Sequence, residues 1–117
     1  VCGIHRLLLV KLKEDRLALL KQDAGFSFHQ IDITDTQALM SMFETERIER
    51  VLHLAAQAGV RYSLKNPHAY AQANLVGFTN ILEAARAFKV DHLVYASTSS
   101  VYGGNQKLPF SEHDTVD

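Results

Sequence analysis

One cysteine, no block of like charge and no long apolar run define this 117-residue chain by what it does without. With Cys2 alone there is no internal disulfide, and the chain fits a reducing compartment, so a cytoplasmic location is expected. The formal net charge is −1, from 12 Lys and Arg against 13 Asp and Glu. Nothing clusters into the basic footprint that nucleic acid binding requires. No apolar stretch approaches the roughly 20 residues of a membrane helix, and no signal peptide is visible. Neither nucleic acid nor a membrane is an expected partner. Zinc-type spacing is missing as well. The histidines stand at 5, 29, 53, 68, 92 and 113, never three or four apart, and no cysteine pair accompanies them. No metal site is expected, and there is neither an internal repeat nor a low-complexity segment.

What remains is 47% apolar and 21% charged, the balance of a soluble globular domain with one modest core. The chain opens at Val1 without Met, inside a strand-like run, and stops at Asp117 in a polar run, so a piece of a longer protein is expected. Strand-length apolar runs alternate with helix-period segments. Residues 1–4 read as a strand end, and 11–22 as a helix with Leu12, Leu19 and Leu20 near one face, closed by Gly25. Residues 26–31 alternate in part and read as a strand. Thr34 and Gln37 have capping-box spacing, which predicts a helix from there to about Glu44. Residues 50–56 form an apolar run typical of a buried parallel strand. Asn66-Pro67 is a cap with proline at the first helical position. The helix it opens carries Tyr70, Ala73, Val76, Ile81, Ala84 and Phe88 at helical spacing. Residues 92–96 are the last strand, and 103–117 are loop. The order β-α-β-α-β-α-β-loop predicts an α/β fold, part of a doubly wound parallel sheet.

In such sheets ligands bind beyond the carboxyl ends of the strands. That rule singles out His5-Arg6, Asp32-Ile33, the run after Leu54 and the run after Ala96. The small residues Ala55, Ala56, Ala58 and Gly59 would let a ligand approach the backbone closely, or would simply pack a strand tightly against a helix. Arg61 is the fixed positive charge of this loop, able to fork onto a carboxylate or phosphate or to remain solvated. Asp32 can accept a hydrogen bond from a base amino group, or serve as a turn residue. Asn74 lies among apolar neighbours and needs a partner, in a nearby loop or on the backbone. Gly77 reads as a close-packing position.

Ser97, Thr98, Ser99 and Ser100 put four hydroxyls directly behind the last strand. A hydroxyl is a poor base alone, and nucleophilic use would need an adjacent His held by a third group. No G-x-S-x-G elbow is present, so a serine hydrolase fits poorly. Positioning a reacting oxygen beside a second catalytic group fits better.

HLAAQAGVRYS, N-P-H-A-Y…N-L-V-G-F-T-N-I-L-E-A-A-R and YASTSSVYG resemble the extended short-chain dehydrogenase/reductases of the sugar-nucleotide epimerase/dehydratase group. The resemblance runs from about Leu12 to Asp117, and A-A-Q-A-G-V-R-Y-S discriminates within the group. It implies a Rossmann-like fold, tightly bound NAD, a nucleotide-sugar substrate, a homodimeric parent, and epimerisation through a 4-keto sugar. By alignment on V-Y-G, it implies Thr98 as the catalytic hydroxyl on the sugar's 4-oxygen, with Ser99 and Ser100 on the substrate and Arg61 near a sugar acid. It places Asp32 and Ile33 at the adenine, Leu54, Ala55, Ala56 and Asn74 along the cofactor, and Ala96 and Ser97 beside the nicotinamide. The family's G-x-x-G-x-x-G loop, the first strand before it and the Tyr-x-x-x-Lys base pair do not occur in these 117 residues. The whole chain, residues 1–117, is therefore expected to be the central part of an NAD(P)-binding domain, inactive by itself. His5-Arg6 stands where the family carries an acidic residue on the adenosine ribose, which leaves NADP open beside NAD. A 4,6-dehydratase, a decarboxylase and a non-catalytic nucleotide-binding protein on the same fold are the alternatives.

Overall fold

A computed structural model describes residues 6–57 and 60–116. The expected strand at 1–4, together with His5, Ala58 and Gly59, lies outside the described residues.

The centre is a pair of parallel strands, β1 (Arg50–His53) and β2 (His92–Tyr95), in register from Arg50↔His92 to His53↔Tyr95. Parallel neighbours need a crossover connection, here built from helices. One face of the pair, through Val51 and Leu93, meets α2 (Thr36–Glu46) and α5 (Phe78–Ala87). Leu39 and Phe43 of α2 and Ile81 and Ala84 of α5 are the buried apolar side chains among the described residues. Their four- and three-residue spacings put each pair on one helix face. Ile33, Met40, Met42, Ile48, Phe88 and Val90 close around them.

Among the described residues nothing covers the second face. Leu52 is 66% exposed and Val94 47%. The apolar run 50–56 predicts a strand buried on both faces. β1 instead ends at His53, and no described element lies over Leu52. The last strand likewise ends one residue early, at Tyr95, where its pairing with β1 stops.

Asn66 caps as its sequence predicts, its side chain accepting from the Ala69 N–H at 3.1 Å, and Pro67 follows at the first helical position. The helix then runs as α4 (Pro67–Ala71), a widened π-turn (Gln72–Gly77) and α5 without a break. Gly77 is a close-packing position, as its sequence context suggests. A Cβ there would lie 2.5 Å from Ile33 Cδ1 and 2.6 Å from its Cγ1.

Other boundaries differ from the sequence reading. α1 runs Arg6–Leu20, earlier at both ends than the expected 11–22, because residues 6–10 contain no helix breaker and 21–25 form turns. Leu12, Leu19 and Leu20 are exposed rather than packed. Residues 26–31 are not a strand, since strands are made by ladder bonds and no described strand lies beside them. The cap of α2 is Asp35, not Thr34. Asp35 accepts from Ala38 N at 3.0 Å, while the Thr34 hydroxyl is drawn to the Asp32 carboxylate, and α2 continues to Glu46. The run after β1 is not all loop, because α3 (Val60–Lys65) takes in Arg61.

Candidate functional site at the carboxyl ends of the strands

Residues 54–57 leave β1 and residues 96–98 leave β2 side by side, and the Ala96 N–H donates to the His53 carbonyl at 3.3 Å just past the last paired residues. Leu54, Ala55, Ala56, Ala96, Ser97 and Thr98 are all exposed there. Small side chains on one strand end and hydroxyls on the other make a surface that a flat, polar ligand can lie against.

Asp32 and Ile33 lie in the loop ahead of α2, tied to the helix after Pro67 through Asn80 and Gly77. The Asp32 Oδ1 accepts from both the Thr34 N–H (2.9 Å) and the Thr34 hydroxyl (2.8 Å). These bonds, the backbone one first, hold the exposed carboxyl below its ordinary range, so it is ionised and oriented. Asn74 finds its partner in a neighbouring loop. Its Oδ1 accepts from Gln57 N at 2.8 Å and its Nδ2 donates to Gln57 O at 3.0 Å.

Thr98 is exposed and extended (φ −140°, ψ 149°), at the head of a 3-10 turn, Ser99–Tyr102. Its oxygen accepts from the Ser100 N–H at 3.3 Å, and its hydroxyl meets the Ser100 hydroxyl at 3.3 Å. Both are long for hydrogen bonds, so a substrate oxygen can displace them at little cost. Ser99 and Ser100 are exposed in the same turn. Arg61 is exposed on α3, a separate element from this turn.

Three features escaped the sequence reading. Asn80 donates its Nδ2–H to the Ile33 carbonyl at 2.9 Å. Its signal was a second amide in an apolar helix, six residues beyond Asn74. Gln57, in the alanine-rich run A-A-Q-A, is buried at 8% exposure. His53, Phe78 and Tyr95 form an aromatic group under the strand ends, with His53 stacked on Phe78 at 5.4 Å and Tyr95 tilted against it at 5.0 Å. Only the strand register brings His53 and Tyr95 together.

Burial in that group pushes the His53 pKa below the ordinary histidine value. The unfolded chain binds its proton near pH ~6.5. The stability due to neutral His53 is therefore complete above that pH and declines as pH falls through it towards the folded value. His53→Phe should shrink the difference between urea midpoints measured at neutral and at mildly acidic pH. An undiminished difference would place the pH dependence elsewhere.

Parallel strands ending in a ligand-accessible edge, with crossover helices packed on one face, define an α/β domain of Rossmann type. Residues 2–117 match the family model described as GDP-mannose 4,6 dehydratase, and the chain belongs to that family. The UDP-glucuronate 4-epimerase of Thermodesulfobacterium geofontis is 53% identical over 108 residues, covering 92% of this chain and 33% of that protein. The UDP-Glc/GlcNAc 4-epimerase of Campylobacter jejuni superposes with a TM-score of 0.77 at 30% identity, over 92% of this chain and 32% of that one. The UDP-glucose 4-epimerase of Stenotrophomonas maltophila, solved with bound NAD, gives 0.75 at 30% identity, over 88% of this chain and 30% of that one. The chain spans about a third of the length of these relatives. Among the described residues no helix is long and apolar enough to cross a membrane.

Proposed function

We propose that the chain is the central part, residues 1–117, of the dinucleotide-binding domain of an NAD-dependent epimerase that interconverts UDP-glucuronate and UDP-galacturonate through a 4-keto sugar. The observation that carries this reading is the meeting of two strand ends, where the Ala96 N–H to His53 carbonyl bond sets the hydroxyls of 97–100 beside the small-residue edge 54–56. The sugar acid rests on likeness to the T. geofontis enzyme and its name.

The residues present fit the cofactor. An oriented, ionised Asp32 suits an adenine amino group, and exposed backbone with small side chains at 54–56 suits an extended dinucleotide. NAD, held by Asp32 and Ile33 at its adenine and by 54–56 and Asn74 along its length, would supply the hydride acceptor and donor for the sugar's C4. The chain's own residues hold and orient the substrate. Thr98 hydrogen-bonds the 4-oxygen and keeps its proton in line for a base. Ser99 and Ser100 contact the sugar, Arg61 faces its carboxylate, and Ala96 and Ser97 border the nicotinamide. A nucleotide tail supplies binding energy that holds the sugar in place while its ring reorients. The 117 residues carry no Tyr-x-x-x-Lys and no glycine loop. The intact enzyme is proposed to be a cytoplasmic homodimer that uses NAD.

The test is a chimera in which this chain replaces the matching segment of the T. geofontis enzyme. With UDP-glucuronate and NAD it is expected to produce UDP-galacturonate, while the 117 residues alone produce nothing. A folded chimera that binds NAD but releases a 4-keto-6-deoxy sugar, carbon dioxide or no product overturns the epimerase assignment. Turnover by the isolated chain overturns its predicted inactivity.

A further inference from the structure

The helix that begins at Pro67 uses two of its carboxamides to hold two separate loops. Asn74 closes a two-bond ring with the backbone of Gln57, 17 residues away, and Asn80 donates to the Ile33 carbonyl, 47 residues away. All three bonds are partly buried, and none is a local turn contact. Ile33 is seated a second time, by its side chain, in the space Gly77 leaves free.

Between the two amides lies part of the widened turn, Gln72–Gly77. Such a turn holds one residue more than an α-helical path. Without it, Asn74 would sit at a different angle around the helix axis relative to Asn80. The turn therefore matches the helix to two loops at once. One carries Asp32 and the other leaves β1.

We infer that Asn80 is a positioning residue, with Asn74 as its counterpart. The single helix sets the spacing between the Asp32–Ile33 loop and the loop after β1, so that a nucleotide meets a carboxylate held in place. The nucleotide in this statement rests on the proposed function, whereas the clamp stands on the geometry alone.

The test compares Asn80→Asp and Asn80→Ala with the parent 117-residue chain by NMR. Asp keeps the shape, removes the donor and turns an oxygen towards the Ile33 carbonyl; Ala removes the donor without adding charge. Loss of one such bond corresponds to about tenfold in a local opening equilibrium. The Thr34 amide, bonded to Asp32, is expected to exchange about tenfold faster in both variants. The Asp32 carboxyl should titrate nearer its ordinary value, while the Leu39 and Ile81 amides keep their protection. Unchanged Thr34 exchange and Asp32 titration in both variants would overturn the inference. Equal loss of protection at Leu39 and Ile81 would also overturn it, since Asn80 would then be only a stabilising residue. Should Asn80→Asp fail to fold, Asn80→Ala decides by the same signals. NADH titration by fluorescence separates the two readings. Where the parent binds NADH, Asn80→Ala should weaken it about tenfold. Where the parent chain binds none, the cofactor assignment fails for this chain, and the exchange data still decide the clamp.

Discussion

Thr98→Val, placed in the chimera with the T. geofontis enzyme, is expected to lower kcat by about 10²–10⁴-fold, the range of a positioned proton-transfer group, and to change KM little. Thr98→Ser should retain most of the rate. The hydroxyl is exposed, and its two internal contacts, both 3.3 Å to Ser100, are weak enough to be exchanged for a sugar oxygen. Thr98 also caps the turn Ser99–Tyr102, and losing a cap costs about 1 kcal/mol. Circular dichroism of each variant therefore accompanies the kinetics. The serine variant keeps both cap and hydroxyl, so a rate loss confined to valine belongs to the hydroxyl or the cap, and an unchanged melting curve assigns it to the hydroxyl. Valine activity within about twofold of the parent, far below the range for such a group, would remove Thr98 from the mechanism.

Phe43→Ala has the largest expected effect on stability. Phe43 is 3% exposed, and its ring lies 6.1 Å from that of Phe88, tilted by 35°. A surface pocket of about 340 Å³ already lies beside it, at the amino ends of the strands, lined by Phe43, Ile48 and Phe88 with charged residues at its rim. Removing the ring would enlarge that space instead of letting the core collapse, and buried Phe→Ala changes cost about 3–5 kcal/mol. Whole domains commonly hold only about 5–15 kcal/mol. With Leu52 and Val94 exposed on the other face of the sheet, the described core has little in reserve. The expected result is loss of the cooperative urea transition followed by far-ultraviolet circular dichroism, with Phe43→Leu intermediate. A midpoint within error of the parent would mean that the contact between α2 and α5 does not carry the fold.

The sequence was informative wherever the signal was local. Asn66-Pro67 announced a helix start because both cap chemistry and proline's missing N–H act within three residues. Gly77 stood out as a packing position, and Asn74 as an amide in need of a partner. The Thr34–Gln37 spacing misled because two carboxylates flank Thr34. Asp32 captured its hydroxyl, and Asp35 took the cap. Residues 26–31 misled for another reason: alternation marks a strand's faces, but a strand exists only when a neighbour pairs with it.

From the sequence alone follow the two strands at 50 and 92 with helices between them, the cap at Asn66, the parallel α/β class and the hydroxyl run behind the last strand. Each depends on periodicity or on chemistry within a few residues of backbone. Tertiary structure alone decided that Asn80 holds Ile33, that Asn74 holds Gln57, that His53 stacks on Phe78 beside Tyr95, and that Leu52 and Val94 stay exposed among the described residues. Those pairs are 17 to 47 residues apart along the chain. Hydrophobic periodicity says which face of an element turns inward, but the partner it meets there is chosen by how the elements pack.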